Sequence, residues 1–131
     1  MKKTFFHGIL AGILAGLASL VYNYAYSEAL LVDYAAVINP VSIFGSCIFG
    51  CTLASLGYYF LSKWVRSNTD IWFNVLFLGL TFASLAGSFA ATLPSSIGSP
   101  ELFPGLSVPM HIFPMLFWLA TKPVFGQTEA A

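Results

Sequence analysis

Charged residues are scarce in this chain: Asp, Glu, Lys and Arg make up 8% of 131 residues, where about 25% is usual in a soluble domain. Hydrophobic residues make up 58%, so the few charges cannot cover a soluble surface of this size. A nucleic-acid binder would need a basic patch, but this chain has five basic and five acidic residues and no excess of positive charge. The composition excludes a soluble enzyme, a disordered chain and a nucleic-acid binder. It indicates an integral membrane protein that lies in the lipid bilayer.

Motifs that carry chemistry are also missing. The sequence has no Gly-rich phosphate loop, no HExxH and no GxSxG, which are typical of nucleotide-binding, metalloprotease and hydrolase sites. It has no acidic pair inside an apolar run, whereas proton-coupled pumps usually depend on a membrane-embedded acid. These absences give no support for an enzymatic function and no reason to expect a cofactor. They also count against active transport.

Four apolar runs are present, at about residues 5–26, 40–61, 71–93 and 106–120. A helix needs about 20 apolar residues to cross a hydrocarbon core of about 30 Å. The runs are continuous and do not alternate with period two, so they favour helices. Asn39 followed by Pro40 is typical of an N-cap and a first helical position. The sequence predicts an all-α, four-helix integral membrane bundle, folded as one domain over residues 1–131.

The charges are segregated along the chain. The basic residues precede the first run, lie between the second and third, or follow the fourth: Lys2, Lys3, Lys63, Arg66 and Lys122. The other two connections carry acids: Glu28, Asp33 and Glu101. The positive-inside rule then places the N- and C-termini in the cytoplasm. We expect a multi-pass protein of a bacterial inner (plasma) membrane.

Two other features bear on this orientation. Lys2 and Lys3 before an apolar run also resemble a signal peptide, but the run exceeds the usual 7–15 residues, so we expect an uncleaved first helix. Four tyrosines gather at the opposite surface, as an interfacial aromatic belt would: Tyr22, Tyr24, Tyr26 and Tyr34.

Small residues recur at helical spacing in the first and third runs. These helix-packing candidates are Gly8, Gly12, Gly16, Gly79, Ala83 and Gly87. Because lipid removes most of the hydrophobic drive between helices, small side chains favour association by letting backbones approach closely. Two interpretations stay open. The residues pack the bundle internally, or one set, above all the set in the first run, faces outward and binds a second copy or a larger membrane complex.

Polar side chains cluster in the outer third of the predicted bundle. The candidate ligand-binding residues are His111, Asn23, Ser46 and Thr92. Pro109 and Pro114 bracket His111, and each removes a backbone donor and frees a carbonyl. His111 is interpreted as a structural residue bonded to Asn23 or to a freed carbonyl, or as a proton or ligand contact in an outward-facing pocket.

A third interpretation involves metal or thiol chemistry. Cys47 and Cys51 lie four residues apart, hence on one helix face, and with His111 they offer soft ligands that suit copper. Cysteines in an apolar segment are usually inert packing residues, and that is the simpler interpretation. His7, close to Lys3, is expected at the cytoplasmic interface.

Three short segments carry a resemblance to known proteins. They are the sequence ASLVYN at residues 18–23 followed by LLVD at 30–33, the sequence LPSS at 93–96, and Met110-His111. The chain resembles, over most of its length, a family of small bacterial four-helix membrane proteins catalogued as a domain of unknown function. The resemblance implies this fold and membrane location, and it implies no activity.

Three functions follow from these observations. The leading one is a non-enzymatic accessory or interaction protein that acts through helix–helix contacts with itself or with a larger membrane complex. The alternative is a small-molecule binding or permeation protein with an outward-facing polar pocket around His111. The third is a membrane thiol or metal protein that uses Cys47, Cys51 and His111.

Overall fold

The computed structural model describes residues 2–65, 67–94 and 97–125; Arg66, Ser95 and Ser96, named above, lie outside them. The described residues form four α-helices: α1 (Lys2–Leu30), α2 (Pro40–Trp64), α3 (Thr69–Ala90) and α4 (Phe103–Thr121). Short 3₁₀ turns at Pro100–Leu102 and Lys122–Phe125 flank α4. All four helices are long and apolar enough to cross a membrane, α4 together with its two turns. The predicted all-α architecture with four candidate membrane spans is confirmed.

The helices differ from the predicted runs at their ends. α1 continues past Glu28 to Leu30 and stops where Leu31 adopts a left-handed φ of 54°. α3 ends at Ala90, before the predicted boundary, and α4 begins at Phe103 with Pro104 in its first turn. Apolar composition shows where a chain lies in hydrocarbon, whereas backbone geometry decides where its hydrogen-bonded turns stop.

The start of α2 follows the predicted pattern. The Asn39 side chain accepts a hydrogen bond from the Ser42 backbone N–H at 2.8 Å, and Ser42 Oγ accepts one from the Asn39 N–H at 3.2 Å. This reciprocal pair satisfies two backbone donors that the first helical turn leaves free. Pro40 takes the first helical position, where no donor is needed.

Three glycines of α1, which we call the α1 stripe (Gly8, Gly12 and Gly16), lie directly against α2. A Cβ atom at Gly12 would come within 2.7 Å of Ile48 Cα and 3.0 Å of the Cys47 carbonyl oxygen. Such distances leave no room for a side chain, so the two backbones approach closely. The α1 stripe is therefore an internal packing surface, and the outward-facing interpretation does not apply to it.

The other small-residue set, the α3 stripe (Gly79, Ala83 and Gly87), has the reverse placement. All three residues are exposed, and a Cβ atom at Gly79 or Gly87 would meet nothing within 4 Å. α3 joins the bundle through a different face, which includes the buried residues Phe73 and Ser88. The expectation that this set packs the chain internally is not met within the described residues.

The described contacts between α2 and α3 concentrate near the segment that connects them. The rings of Tyr58 and Phe73 lie 5.2 Å apart, and the Tyr58 hydroxyl donates to Asp70 at 2.7 Å. A Cβ atom at Gly57 would lie 3.8 Å from the Phe73 ring. Beyond this region the two helices are separated by a groove.

Candidate functional site

A cavity of about 820 Å³ lies between α2 and α3, and α4 contributes to its lining. We call it the α2–α3 groove. The part near the α2–α3 connection is lined by large apolar side chains: Phe60, Leu61, Trp64, Phe73, Leu76 and Phe77. The part toward the start of α2 carries hydroxyl, thiol and imidazole groups: Ser19, Ser42, Ser46, Cys47, Ser84, Ser107 and His111. The groove is therefore amphipathic along its length.

His111 lies at the polar part of this groove. Its Nδ1 atom is 2.8 Å from the Ser107 carbonyl oxygen, and Ser88 Oγ lies 3.5 Å from the same nitrogen. A carbonyl oxygen only accepts, so Nδ1 carries the hydrogen and donates it. The Nε2 atom of the neutral ring is then an acceptor. Nε2 makes no hydrogen bond with any residue that the structure describes.

The carbonyl freed by Pro109 has a different partner from the one expected. Pro109 lacks the N–H that would bond to the Gly105 oxygen one turn earlier. The Tyr22 hydroxyl donates to that oxygen at 2.9 Å. His111 instead uses the Ser107 oxygen, which no proline frees, and it does not contact Asn23. The predicted hydrogen bond between His111 and a freed carbonyl or Asn23 is wrong.

Tyrosines of α1 and of the segment after it hold the beginning of α4. Besides Tyr22, Tyr26 donates to the Leu102 oxygen at 2.7 Å and Tyr34 donates to the Ser99 oxygen at 2.8 Å. Burial raises the pKa of Tyr34, and nearby Tyr26 and Glu101 add to this, so its hydroxyl keeps its proton. Three of the four expected belt residues are thus structural donors.

Tyr24, the fourth, faces outward. It is 70% exposed, so its ring lies on the outer surface of α1. The tyrosine contacts to residues 99–105 fix the first part of α4, and Ser107 and His111 follow directly from it along the same helix. The row of tyrosines therefore sets the position of the polar part of the groove.

The structure brings together two of the four predicted ligand-binding residues. Ser46 and His111 both line the groove, and the Ser46 hydroxyl donates to the Ile43 oxygen at 3.0 Å. Asn23 lies half-buried on α1 and Thr92 is exposed beyond the end of α3. Neither lines the groove.

Ser107 is a groove residue that the sequence analysis missed. It is 4% exposed, and its Oγ atom has no hydrogen-bond partner among the described residues. A serine within a helix commonly bonds back to the preceding turn, as Ser46 does, so sequence gives no sign of an unpaired hydroxyl. Its spacing of four residues from His111 is the one available signal.

The two cysteines contact partners other than His111. Cys47 Sγ lies 3.7 Å from Ser19 Oγ, and Cys51 Sγ lies 3.9 Å from the Pro114 oxygen. Both cysteines are buried. Within the described ranges, no group of three or more His, Cys, Asp or Glu side chains is placed to hold a metal ion. The structure therefore does not assemble Cys47, Cys51 and His111 into a metal site.

His7 is the histidine that the fold buries. It is 0% exposed, and its Nε2 atom lies 3.0 Å from both the Trp118 oxygen and Thr121 Oγ1. Its ring packs on the Trp118 indole, with centroids 4.2 Å apart. The expectation of an interfacial residue did not include this burial, which places His7 on the helix face that also carries buried Ala11. That spacing of four residues was a signal of burial.

Comparisons of the chain with models of protein families, with curated proteins and with solved structures found no match. The resemblance to small bacterial four-helix membrane proteins stays a prediction. The functional interpretation therefore depends on the site itself.

Proposed function

We propose that this protein binds an amphipathic, lipid-like molecule in the α2–α3 groove and acts without catalysis. The observation that carries the proposal is the division of one groove into an apolar part and a polar part that contains His111. Both walls are helices long enough to cross a membrane. A lipid-like molecule enters such a groove sideways from the bilayer, with its tail among apolar side chains and its headgroup at His111.

The dimensions of the groove suit one hydrocarbon tail. Along α2, the apolar lining from Gly50 to Phe60 spans about 15 Å at the rise of an α-helix. One leaflet of the hydrocarbon core is about 15 Å thick, so the apolar part has the length of a lipid tail. Glycines on the α2 wall leave space, because a Cβ atom at Gly50 would meet nothing within 4 Å.

Native mass spectrometry after gentle extraction from the membrane tests this function. We expect a bound species of lipid mass on the wild type. Gly50→Phe fills the groove and should remove that species, whereas Gly45→Phe should retain it. Both glycines lie on α2 with open space around them, and Gly50 but not Gly45 lines the groove. Wild type recovered without any such species, or equal loss in both variants, contradicts the proposal.

A second function is favoured by the exposed α3 stripe. We propose that this stripe packs against a helix of a second copy or of a larger membrane complex, since small residues allow close helix contact. Gly87→Leu should dissociate the assembly in gentle extracts, and Gly45→Leu, at another exposed glycine, should not. Recovery of the wild type as a monomer at all extraction conditions contradicts this function.

For the cellular setting, we propose a bacterial inner membrane with both termini in the cytoplasm. The support is the segregation of charge along the chain. The basic residues Lys2, Lys3, Lys63 and Lys122 lie at one end of the bundle, since α1 begins there and α2 and α4 end there. Asp33 and Glu101 lie at the other end, and the positive-inside rule assigns the lysine-bearing end to the cytoplasm.

A further inference from the structure

The polar part of the α2–α3 groove holds two hydrogen-bonding atoms that no described residue satisfies. Ser107 Oγ is buried with no partner, in a residue that is 4% exposed. His111 Nε2 has none either. The two residues lie four apart on α4 and both line the groove, so their side chains lie one above the other on one helix face.

These two atoms have complementary hydrogen-bonding roles. His111 Nε2 is an acceptor, because the ring hydrogen is on Nδ1 and is donated to the Ser107 oxygen at 2.8 Å. Ser107 Oγ has a hydrogen to donate, and a buried hydroxyl left without a partner is destabilising. A group that satisfies both atoms must donate one hydrogen bond and accept one. A hydroxyl does this with a single oxygen.

Nearby groove hydroxyls are already engaged. Ser46 Oγ donates to the Ile43 oxygen at 3.0 Å, and Ser84 Oγ donates to the Thr81 oxygen at 2.7 Å. Their hydrogens are therefore not directed at the groove. This difference singles out Ser107, whose hydroxyl is unpaired, as the donor for a bound group.

The charge of the lining selects against ionised headgroups. Among the described residues that line the groove, none is Asp, Glu, Lys or Arg. A phosphate, carboxylate or ammonium group in this position would lie in a membrane span without an opposite charge, which is costly. The lining therefore favours an uncharged headgroup.

We infer that the groove binds a lipid alcohol, an uncharged molecule with one long tail and a hydroxyl headgroup. The ligand hydroxyl donates to His111 Nε2 and accepts from Ser107 Oγ, and the tail runs along the apolar part toward Phe60 and Leu76. This inference rests on the proposed binding function and adds the class of headgroup.

A competition series on the wild type tests the headgroup directly. The reporter is hexadecane with a terminal photoreactive diazirine, which labels the groove through its tail alone. The competitors are 1-hexadecanol, its methyl ether, palmitate and hexadecyl phosphate. We expect hexadecanol to compete at least about tenfold better than the ether, which lacks the donor, because one hydrogen bond contributes about 1.4 kcal/mol. The charged competitors should be weaker still.

Variants of the two residues test which protein atoms form hydrogen bonds with the headgroup. His111→Phe should reduce the preference for hexadecanol over the ether to near one, because it removes the acceptor that only the alcohol can use. Ser107→Ala should instead weaken competition by hexadecanol and by the ether alike, because both oxygens accept from Ser107 Oγ. Labelling by the reporter should be retained in both variants. Thr52→Val is the matched control, because it removes a membrane-embedded hydroxyl outside the groove that donates to the Ile48 oxygen. It should leave unchanged both the preference and the strength with which each molecule competes.

The outcomes separate the two proposals. Equal competition by the alcohol and the ether, or stronger competition by palmitate or hexadecyl phosphate, overturns the hydroxyl inference and leaves the binding function standing. Absence of groove labelling on the folded wild type overturns the binding function and this inference together. If a variant fails to fold, the competition series on the wild type still decides the headgroup.

Discussion

The Tyr22 hydroxyl lies 2.9 Å from the carbonyl oxygen of Gly105, four residues before Pro109 inside α4. Proline at position 109 removes the backbone donor that would satisfy the Gly105 oxygen. A carbonyl without a partner inside a membrane costs several kcal/mol. Tyr22 on α1 supplies the missing donor, so the carbonyl that lacks a partner within α4 is hydrogen-bonded to a neighbouring helix.

The first prediction concerns this pair. Tyr22→Phe removes the donor and should lower the free energy of unfolding in mild detergent by about 1 kcal/mol. In a Pro109→Ala background the Gly105 oxygen regains a backbone partner, so the same Tyr22→Phe change should cost less than half as much. The measurement is a double-mutant cycle on unfolding.

Tyr24→Phe serves as the control for this cycle. Tyr24 is exposed on the same helix and makes no hydrogen bond with the described residues of α4, so its hydroxyl should contribute little in either background. A cost for Tyr22→Phe that is the same with Pro109 and with Ala at that position would show that the bond does not compensate for the proline.

The second prediction compares glycines of the two stripes. A Cβ atom at Gly8 would overlap Ser55 Oγ and lie 2.6 Å from the Cys51 oxygen, whereas one at Gly79 would meet nothing within 4 Å. Gly8→Ala should therefore destabilise the protein by about 1–3 kcal/mol. Gly79→Ala should be neutral or stabilising by up to about 1 kcal/mol, since alanine favours helix.

A second substitution sharpens this test. Ser55→Ala removes the side-chain overlap with Gly8→Ala but leaves the Cys51 backbone oxygen in place. The double variant should therefore recover only part of the lost stability. Full recovery of stability in the double variant would show that the Cys51 backbone does not limit the space at Gly8. Equal effects of Gly8→Ala and Gly79→Ala would contradict close packing of α1 on α2 at Gly8.

Gly8 and Gly79 also show which parts of the fold can be predicted from the sequence. Continuous apolar runs located the four helices, because the length of a membrane span and the cost of an unpaired backbone leave few alternatives. The spacing of small residues is the same around Gly8 and around Gly79, so it could not tell which set another helix covers. That choice depends on how the helices are arranged around each other, which local pattern does not contain.

The candidate site was predictable to a similar extent. The prolines correctly indicated freed carbonyls in α4, and His111 and Ser46 do line the groove. The partner of a freed carbonyl lies on another helix, however, so Tyr22 could not be identified from local sequence. The unpaired state of Ser107 is likewise a property of the packed bundle, since it depends on which neighbours are absent.

The third prediction separates the two histidines. His7→Ala removes a buried ring together with its bonds to Trp118 and Thr121, and it should cost about 2–4 kcal/mol of unfolding free energy. His111→Ala removes a partly solvent- or lipid-facing ring and should cost about 1 kcal/mol or less. Thermal unfolding of both variants in one detergent gives the comparison.

Phe at position 7 provides the control for packing. His7→Phe keeps an aromatic ring against Trp118 but loses the hydrogen bonds, so it should be less damaging than His7→Ala. If His111→Ala proves as destabilising as His7→Ala, His111 is a structural residue of α4 and its role in the groove has to be abandoned.

The fourth prediction concerns orientation in the membrane. Ala36 is exposed in the connection between α1 and α2, which also contains the acidic residue Asp33. Ser67 is exposed in the connection between α2 and α3, four residues after Lys63. By the positive-inside rule, the second connection lies in the cytoplasm. Ala36→Cys should therefore react with a membrane-impermeant maleimide in intact cells, and Ser67→Cys should react only after permeabilisation.

The wild type controls this experiment, because Cys47 and Cys51 are both buried and should stay unlabelled in intact cells. Labelling of Ser67→Cys alone before permeabilisation would show that the protein has the opposite orientation. His111 would then lie in the cytoplasmic rather than the outer leaflet. Equal labelling of both variants would indicate a mixed topology. Since the groove is polar toward the start of α2, this measurement also fixes the leaflet from which the bound headgroup is presented.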